Sequence, residues 1–206
     1  MSELAALGRP RHYRKGAVLF AEGDRADRVI VVVAGQVKVT RATDAGREVV
    51  LAVRGPGEVL GELSAVDGGA CSATAVALEP VDARIIPASA FRAYLAEQPG
   101  AAYRLLEVVV GRLREADRVR VEFGGLDTVA RVASRLSELA REYGAPVAGG
   151  TEIALALSQD ELAGWVGSSR EAVAKALRQL RDLGCIETGR RRIVVRDLAR
   201  LERLVA

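Results

Sequence analysis

The residues whose types and spacing best suit a chemical role lie between Leu157 and Leu180, in the stretch LSQDELAGWVGSSREAVAKALRQL. Ser158, with Glu161 three residues later, has the spacing of a capping box, in which hydroxyl and carboxylate each bind a free backbone N–H. Gly167 then leaves helical geometry at low cost, and one of the two following serines is placed to cap a second helix. The stretch therefore predicts two short helices joined by a tight turn.

The second helix has a buried side and a charged side. Its apolar stripe recurs at helical spacing in Val173, Leu177 and Leu180. The charged residues off that stripe are Arg170, Glu171, Lys175 and Arg178. A short helix that presents cations outward and crosses a second helix is the helix-turn-helix arrangement for the DNA major groove. The alternative is a helical hairpin with a solvated charged face.

A basic hairpin follows this helix pair. After Leu183–Gly184, two apolar runs flank Thr188–Gly189 and the arginine triplet Arg190–Arg192, a pattern typical of a β-hairpin with a basic tip. The segment from Arg170 to Arg196 has a net charge of +5, although the whole chain has only +3. The cations are thus concentrated where phosphates would be neutralised, and the sequence predicts a winged helix-turn-helix.

Composition limits the classes of protein that remain. The 206 residues suffice for one large or two modest domains, and aromatic residues make up only 4%. The N-terminus lacks a signal peptide and no run of 18 apolar residues occurs, so we expect a cytoplasmic protein without membrane contact. Cys71, Cys185 and the single histidine, His12, form no disulfide framework, metal cluster or catalytic set. We therefore expect neither a metal nor an enzyme.

The N-terminal half has the pattern of strands. From Lys15 to Ile86, short apolar runs alternate with glycine-bearing turns at a spacing of roughly ten residues, which is typical of a small antiparallel sandwich or barrel. We interpret this region as a β-roll within an α+β fold. Its glycine-rich stretches at Gly61–Ser64 and Gly68–Thr74 could expose backbone N–H groups to an anion. Glu62 could accept from sugar hydroxyls and Ser72 could donate to a phosphate; the alternative is an ordinary glycine-rich loop.

Helices are predicted after the roll. Ala88–Glu97 is the first, and a longer helix begins near Ala101 and ends at a hinge, Gly124–Gly125. A possible coiled-coil seam on the long helix comprises Val109, Leu113, Ala116 and Phe123, with Arg120 in the intervening position. The elements predicted beyond the hinge are a helix Val129–Tyr143 capped by Asp127, a linker Gly144–Gly150, a strand Ile153–Leu155 and a final helix Asp197–Val205. We expect domains at 1–99 and 125–206, with the long helix and hinge at 100–124.

The sequence resembles the Crp/Fnr family of transcription regulators over nearly the whole length from Lys15 to Val195. The resemblance is carried by GEL at Gly61–Leu63, the loop DGGACSAT, VGSSREAVAKAL and the basic wing, in this order. It implies an N-terminal β-roll like that of cyclic nucleotide-binding domains, a long dimerisation helix and a C-terminal winged helix-turn-helix. It also implies a homodimer that binds a two-fold symmetric operator in double-stranded DNA and contacts RNA polymerase.

The resemblance also implies roles for individual residues. Arg170, Glu171 and Lys175 would read base edges, through a guanine, a cytosine amino group, and a guanine or phosphate, respectively. Lysine at the last position, where the family often has arginine, lacks the planar fork and is expected to relax specificity. The positions expected to touch phosphates are Ser158, Gln159, Ser169, Arg190, Arg191 and Arg192.

The effector site implied by the resemblance comprises Gly61, Glu62, Leu63, Cys71, Ser72, Ala116 and Asp117. It departs from the cyclic-AMP receptors at Cys71, where those proteins have an arginine that pairs with the cyclic phosphate. Ala116 and Asp117 stand where an adenine contact is expected, and alanine cannot form a hydrogen bond there. Because the lost ion pair would cost about 2–5 kcal/mol in a desolvated site, we do not expect tight binding of cyclic AMP.

Several alternatives stay open on this basis. The effector could be another nucleotide or another small molecule, or DNA binding could need no effector. Cys71 could act as a redox sensor, although a small buried side chain is the simpler interpretation. The alternative from another class is a ligand-binding or protein-interaction module whose helix-turn-helix no longer reads DNA.

Overall fold

A computed structural model describes residues 2–25, 27–44, 46, 48–153, 158–189 and 192–205. The residue contacts divide the chain into two units, Met1–Leu113 and Arg114–Ala206. The elements of the first unit, in chain order, are α1 (Ser2–Ala6), β1 (Arg9–Tyr13), β2 (Val18–Phe20), β3 (Arg28–Ala34), β4 (Val37–Ala42), β5 (Glu48–Arg54), β6 (Val59–Leu60), α2 (Glu62–Asp67), β7 (Thr74–Ala77), β8 (Val81–Pro87), α3 (Ala88–Glu97) and the start of α4 (Pro99–Gly125).

The eight strands form two antiparallel sheets, with strand orders β1-β8-β3-β6 and β2-β7-β4-β5. This is the predicted β-roll, and its core lies between the sheets. The unbroken apolar run at the centre of β3 is explained by burial of both faces of this strand. Ile30 and Val32 face the core between the sheets, whereas Val29 and Val31 face a second core with α1 and α3. A strand buried on both faces needs no polar alternation.

The roll differs from expectation at two places. The first strand is β1, which begins at Arg9 and pairs with β8, before the predicted start at Lys15. Residues 62–67 form the helix α2 where a turn of small residues was predicted. Gly61, in the left-handed conformation with φ +78°, caps α2, and a Cβ there would lie 3.0 Å from the carbonyl oxygen of Arg28. Only glycine meets both conditions without strain.

Helix α4 is one continuous element. It begins at Pro99, since proline is tolerated in the first turn of a helix, and it runs through Gly124 and Gly125, so the predicted hinge lies in its last turn. Four of the apolar residues that it exposes in the first unit follow a 3-4-3 spacing, at Tyr103, Leu106, Val110 and Leu113; Val108 is also exposed but lies off this stripe. The predicted seam through Val109, Leu113, Ala116 and Phe123 shares Leu113 with this stripe and stays a prediction, with Val109 half-buried and the other three residues exposed.

The second unit begins within α4 and continues with α5 (Thr128–Tyr143), β9 (Gly144–Val147), β10 (Gly150–Ile153), α6 (Gln159–Trp165), α7 (Arg170–Asp182), β11 (Ile186–Gly189), β12 (Arg192–Val195) and α8 (Leu198–Arg203). Its four strands form one antiparallel sheet in the order β11-β12-β10-β9. The predicted linker at Gly144–Gly150 is thus a hairpin that extends the wing's sheet. Of the predicted strand Ile153–Leu155, residues 154 and 155 lie outside the described residues, as does Leu157.

Candidate nucleic-acid interface and effector pocket

The two helices of the motif are fixed by local hydrogen bonds. The Ser158 hydroxyl accepts from the backbone N–H of Glu161 at 3.1 Å, and the Glu161 carboxylate accepts from the backbone N–H of Ser158 at 2.8 Å. This is the predicted capping box at the start of α6. Ser169 caps α7 by accepting from the N–H of Ala172 at 3.1 Å. The start of each helix is thereby determined by its own sequence.

The buried and exposed faces of α7 separate as the sequence predicts. Val173, Leu177 and Leu180 are buried, with Ala176 beside them. Arg170, Glu171, Lys175 and Arg178 are exposed on the opposite side. The apolar face packs on α5 and α6, so the charged face is presented outward.

The exposed charges of α7 differ in how far they are engaged. Arg170 makes only a loose ion pair with Asp160 of α6, at 3.5 Å between Nη1 and Oδ2. Hydrogen bonds from its own backbone N–H and from Ser169 hold the pKa of Glu171 below its ordinary value, so its carboxylate is ionised at neutral pH. Within the described part of the chain, Lys175 and Arg178 make no side-chain hydrogen bond or ion pair. These side chains are available to a ligand.

The wing is partly neutralised by its own sheet. Arg192 donates from Nε to the Glu152 carboxylate at 2.9 Å, and Arg196 pairs with Glu187 at 2.6 Å. Arg181 of α7 donates to the hydroxyl of Thr188 at 2.8 Å and so joins helix to wing. Arg190 and Arg191, at the predicted tip, lie outside the described residues. The sequence count of +5 therefore overstates the charge that is free to meet phosphates.

The last turns of α4 belong to the second unit and are anchored there. The Glu122 carboxylate accepts from Arg135 Nη2 at 2.8 Å and from the hydroxyl of Ser134 at 2.9 Å, and it also pairs with Arg118. Burial opposes ionisation of Glu122, but the hydrogen bonds from Arg135 and Ser134 outweigh it and hold the pKa of this carboxyl below its ordinary value. The Arg135 guanidinium in turn lies 5.9 Å from the ring centre of Trp165 in α6.

Phe123 explains why the motif has glycine at its turn. Gly167 has φ +58°, and a Cβ on it would overlap the Phe123 ring. The Arg131 guanidinium lies over the same Phe123 ring, 5.3 Å from its centre. The predicted seam residue Phe123 is therefore a packing residue of the helix-turn-helix.

In the roll, Glu62 lies at the site that the sequence predicts but is already paired. Its side chain is 4% exposed and accepts a hydrogen bond from Arg112 of α4, which also donates to the carbonyl of Val59 at 2.9 Å. A buried carboxylate without such a partner would cost several kcal/mol. Arg112 was not predictable from the sequence, because its partner lies fifty residues away and no local pattern indicates the pair.

Two other residues of the predicted effector site, Cys71 and Ser72, lie in the loop that follows α2. Cys71 is buried and unpaired by disulfide, and burial raises the pKa of its thiol. A buried thiol with a raised pKa is unreactive, which favours the packing interpretation over a redox sensor. Ser72 and Leu63 are exposed. Gly61 lies beside the carbonyl of Arg28 at the start of β3, and Cys71 is hydrogen-bonded to Gly23 and Asp24 shortly before it.

Ala116 and Asp117 lie on α4 in the second unit, where both are exposed. Asp117 accepts from Arg120 at 3.3 Å. Their part in an effector site stays a prediction. Among the described residues, no group of three or more His, Cys, Asp or Glu side chains is arranged to hold a metal ion, and no helix is long and apolar enough to cross a membrane.

Comparison with known proteins agrees with both units. Residues 10–98 match the family model of the cyclic nucleotide-binding domain, and residues 130–204 match that of the Crp-like helix-turn-helix domain. The chain is 34% identical over 205 residues to the CRP-like cAMP-activated global transcriptional regulator of Mycobacterium tuberculosis, which is 98% of this chain and 92% of the relative. It is 31% identical over 185 residues to the global nitrogen regulator of Synechococcus elongatus, which is 89% of this chain and 83% of the relative.

Among solved structures, FixK2 from Bradyrhizobium japonicum is similar with a TM-score of 0.84 and 29% identity. The alignment covers 97% of this chain and 98% of that one. The similarity therefore extends over the roll, the long helix and the winged helix-turn-helix together.

Proposed function

This chain belongs to the Crp/Fnr family of transcription regulators, and from that premise we propose that it binds a two-fold symmetric DNA operator as a homodimer through the outward face of α7. The observation that carries the proposal is the row of exposed charges on that face, of which Lys175 and Arg178 make no side-chain bond within the described part of the chain. A free cationic helix face on a rigid apolar base suits the major groove.

The base-reading residues are Arg170, Glu171 and Lys175. Arg170 gives up a loose contact with Asp160 to bind a guanine through O6 and N7, and the ionised Glu171 accepts from a cytosine amino group. Lys175 reaches a guanine or a phosphate as a single charge, with less geometric selection than arginine would give.

Phosphate contacts come from the starts of the helices and from the wing. Ser158, Gln159 and Ser169 lie at the N-termini of α6 and α7, where backbone N–H groups attract an anion. Arg190 and Arg191 of the wing add charge. Arg192 must exchange Glu152 for phosphate, so we expect it to contribute less than the two residues before it.

The dimer forms along α4 and the effector binds in the roll. The exposed stripe from Tyr103 to Leu113 has the spacing of a coiled-coil seam. The effector site comprises Gly61, Glu62, Cys71 and Ser72, and we expect no tight binding of cyclic AMP because Cys71 supplies no cation. Relatives at similar identity are named for cyclic AMP in one case and for nitrogen in another, so identity alone does not select the effector. As a regulator, the dimer contacts RNA polymerase.

The experiment compares the full-length chain with the variant Arg170→Ala plus Lys175→Ala. Binding to a duplex carrying a site selected from random DNA is measured by fluorescence anisotropy at several salt concentrations. We expect the wild type to bind with a steep salt dependence, and the variant to lose at least about thirtyfold in affinity, since each of the two base contacts contributes about 1–3 kcal/mol.

The matched control removes two exposed cations from the roll, Arg14→Ala plus Lys15→Ala. It is expected to bind like the wild type. Equal binding by the wild type and the α7 variant would show that the helix-turn-helix does not read DNA, which is the protein-interaction alternative.

A further inference from the structure

The roll contains a cation that the sequence analysis did not single out. Arg28 is the first residue of β3, in which Ile30 and Val32 face the core between the sheets. Side chains two residues apart in a strand share a face. Arg28 is therefore on the inner face of the roll, at the open end of the strand, with its side chain 35% exposed.

Three segments of the roll meet at this strand end. The carbonyl of Arg28 lies 3.0 Å from where a Cβ of Gly61 would be, so the residue before Glu62 passes directly beside β3. The Cys71 backbone is tied to the segment that leads into β3, because its N–H donates to the Asp24 carbonyl at 2.9 Å and its carbonyl accepts from Gly23 at 2.8 Å. The start of β3 at Arg28 is thus next to Gly61, and the segment that leads into it is hydrogen-bonded to Cys71.

The positive charge of Arg28 reaches the two titratable groups of this core. Burial and the carboxylates of Asp24 and Asp27 raise the pKa of the Cys71 thiol, and the nearby guanidinium of Arg28 works against them. Burial also raises the pKa of the Tyr13 hydroxyl, against which Arg11 and Arg28 act. Arg28 is therefore close enough to Cys71 for its positive charge to act there, together with the negative charges of Asp24 and Asp27.

The guanidinium is only weakly engaged. Its Nε is buried and forms no hydrogen bond among the described residues, and the nearest carboxylate oxygen, of Asp27, is 3.5 Å away. By contrast, the other arginine of the site, Arg112, is held by Glu62 and by the Val59 carbonyl. A buried donor without an acceptor is destabilising, and an anion bound beside it would supply that acceptor.

The acidic groups around this cation are screened or already paired. Asp24 and Asp27 are exposed, and Asp24 accepts from the backbone N–H of Ala21 at 2.8 Å. Glu62 is neutralised by Arg112. Arg28 pairs with Asp27 only at 3.5 Å, so its guanidinium is less fully engaged than that of Arg112.

We propose that Arg28 is the anion-binding residue of the roll and that the effector carries a phosphate or carboxylate group held by this guanidinium. The inference rests on the proposed effector site and specifies its ligand chemistry. Arg28 on β3 takes the place of the arginine that the 70–72 loop lacks. The anion would therefore lie nearer to β3 than a cyclic phosphate bound by an arginine of that loop.

The test measures thermal unfolding of the full-length chain with inorganic pyrophosphate, with citrate and with sodium chloride at equal ionic strength. The proteins are the wild type, Arg28→Gln, and the control Arg14→Gln, which removes an exposed arginine of the same unit. Binding of anions at the basic wing is common to all three proteins and cancels in the comparison. The anion that raises the wild-type midpoint more identifies phosphate or carboxylate as the preferred group.

We expect at least one anion to raise the midpoint of the wild type and of Arg14→Gln above the chloride value, with an apparent affinity at least about tenfold weaker in Arg28→Gln. The proposal is overturned if neither anion exceeds chloride in the wild type, or if Arg28→Gln and Arg14→Gln respond alike. Binding of duplex DNA by the wild type in the same buffer separates failure of this proposal from failure of the proposed function.

Discussion

Glu122 is a buried carboxylate of the DNA-binding unit that forms an ion pair with a buried arginine. Its side chain is 10% exposed and that of Arg135 is 3% exposed, and the two lie 2.8 Å apart. Removing one partner of a buried pair leaves an uncompensated charge. Because Arg135 also contacts Trp165 of α6, this pair fixes the last turns of α4 to the helix that carries the motif.

Glu122→Gln tests this pair through the pH dependence of stability. The pKa of Glu122 is depressed below 4.5, its ordinary value, so its contribution is complete above that pH and is lost as the pH falls through the lower pKa of the folded state. We expect the variant to be less stable by about 2 kcal/mol at pH 7, with a difference that shrinks below about pH 4. Urea unfolding at pH 7 and at pH 3.5 measures it.

The control is Asp182→Asn, which removes an exposed carboxylate at the end of α7. It should match the wild type at both pH values. If Glu122→Gln destabilised the protein equally at both values, the loss would come from packing and the ion-pair explanation would be wrong.

Individual residues were predictable from the sequence where their partners are local. The capping box of Ser158 with Glu161 follows from a spacing of three residues, and the structure confirms it. A serine cap on α7 was also predicted, and of the two candidates, Ser168 and Ser169, the structure selects Ser169. Arg112 and Arg28 were not predictable, because their relation to Glu62 and Cys71 is set by the packing of distant strands and helices. A buried glutamate inside a predicted roll does require a cation, but the sequence does not say which one.

At the level of elements, helix α4 has one face that packs on the roll and an opposite face that is apolar and exposed. Val108 and Arg112 lie on the side that packs on the roll, since both line a cavity with Phe91 and Leu105. Leu106, Val110 and Leu113 lie on nearly the opposite side at 3.6 residues per turn and are exposed. An apolar stripe left exposed on a long helix marks an interface.

Leu106→Glu places a charge in the middle of this stripe. We expect the variant to shift from dimer to monomer in light scattering and to bind the operator at least about tenfold more weakly, since a buried unpaired charge is costly and a monomer contacts one half-site. The control Arg104→Glu introduces the same carboxylate on the other side of the helix and should remain dimeric. A dimeric Leu106→Glu protein would exclude this stripe as the interface.

The elements themselves were predictable where one period dominates. The helices α3, α5 and α7 and the hairpin β11–β12 follow from apolar periodicity and capping, and the structure confirms their type. The hairpin of β9 and β10 was not predictable, because Gly144 and Gly150 indicate a loop, and the pairing of β10 with the distant strand β12 leaves no local signal in the sequence. Helix α2 was missed since it has only six residues and glycine on both sides.

For the whole molecule, the distribution of charge and the fold both indicate that the C-terminal unit binds DNA. Eight cations and three acids lie between Arg170 and Arg196, in the unit that matches the Crp-like helix-turn-helix, although several of these cations are paired within the wing. The order of roll, long helix and motif was predictable from the sequence. What the sequence could not give is the charge that remains free, because that depends on which acids the fold brings to each arginine.

The most direct test of the central claim is selection of bound duplexes from a random DNA library by the full-length chain, followed by sequencing. We predict enrichment of one two-fold symmetric sequence whose half-sites are centred about one helical turn, 10–10.5 base pairs, apart. Recovery of no common sequence, or of a single half-site without symmetry, would contradict a homodimer that reads DNA through the two copies of α7.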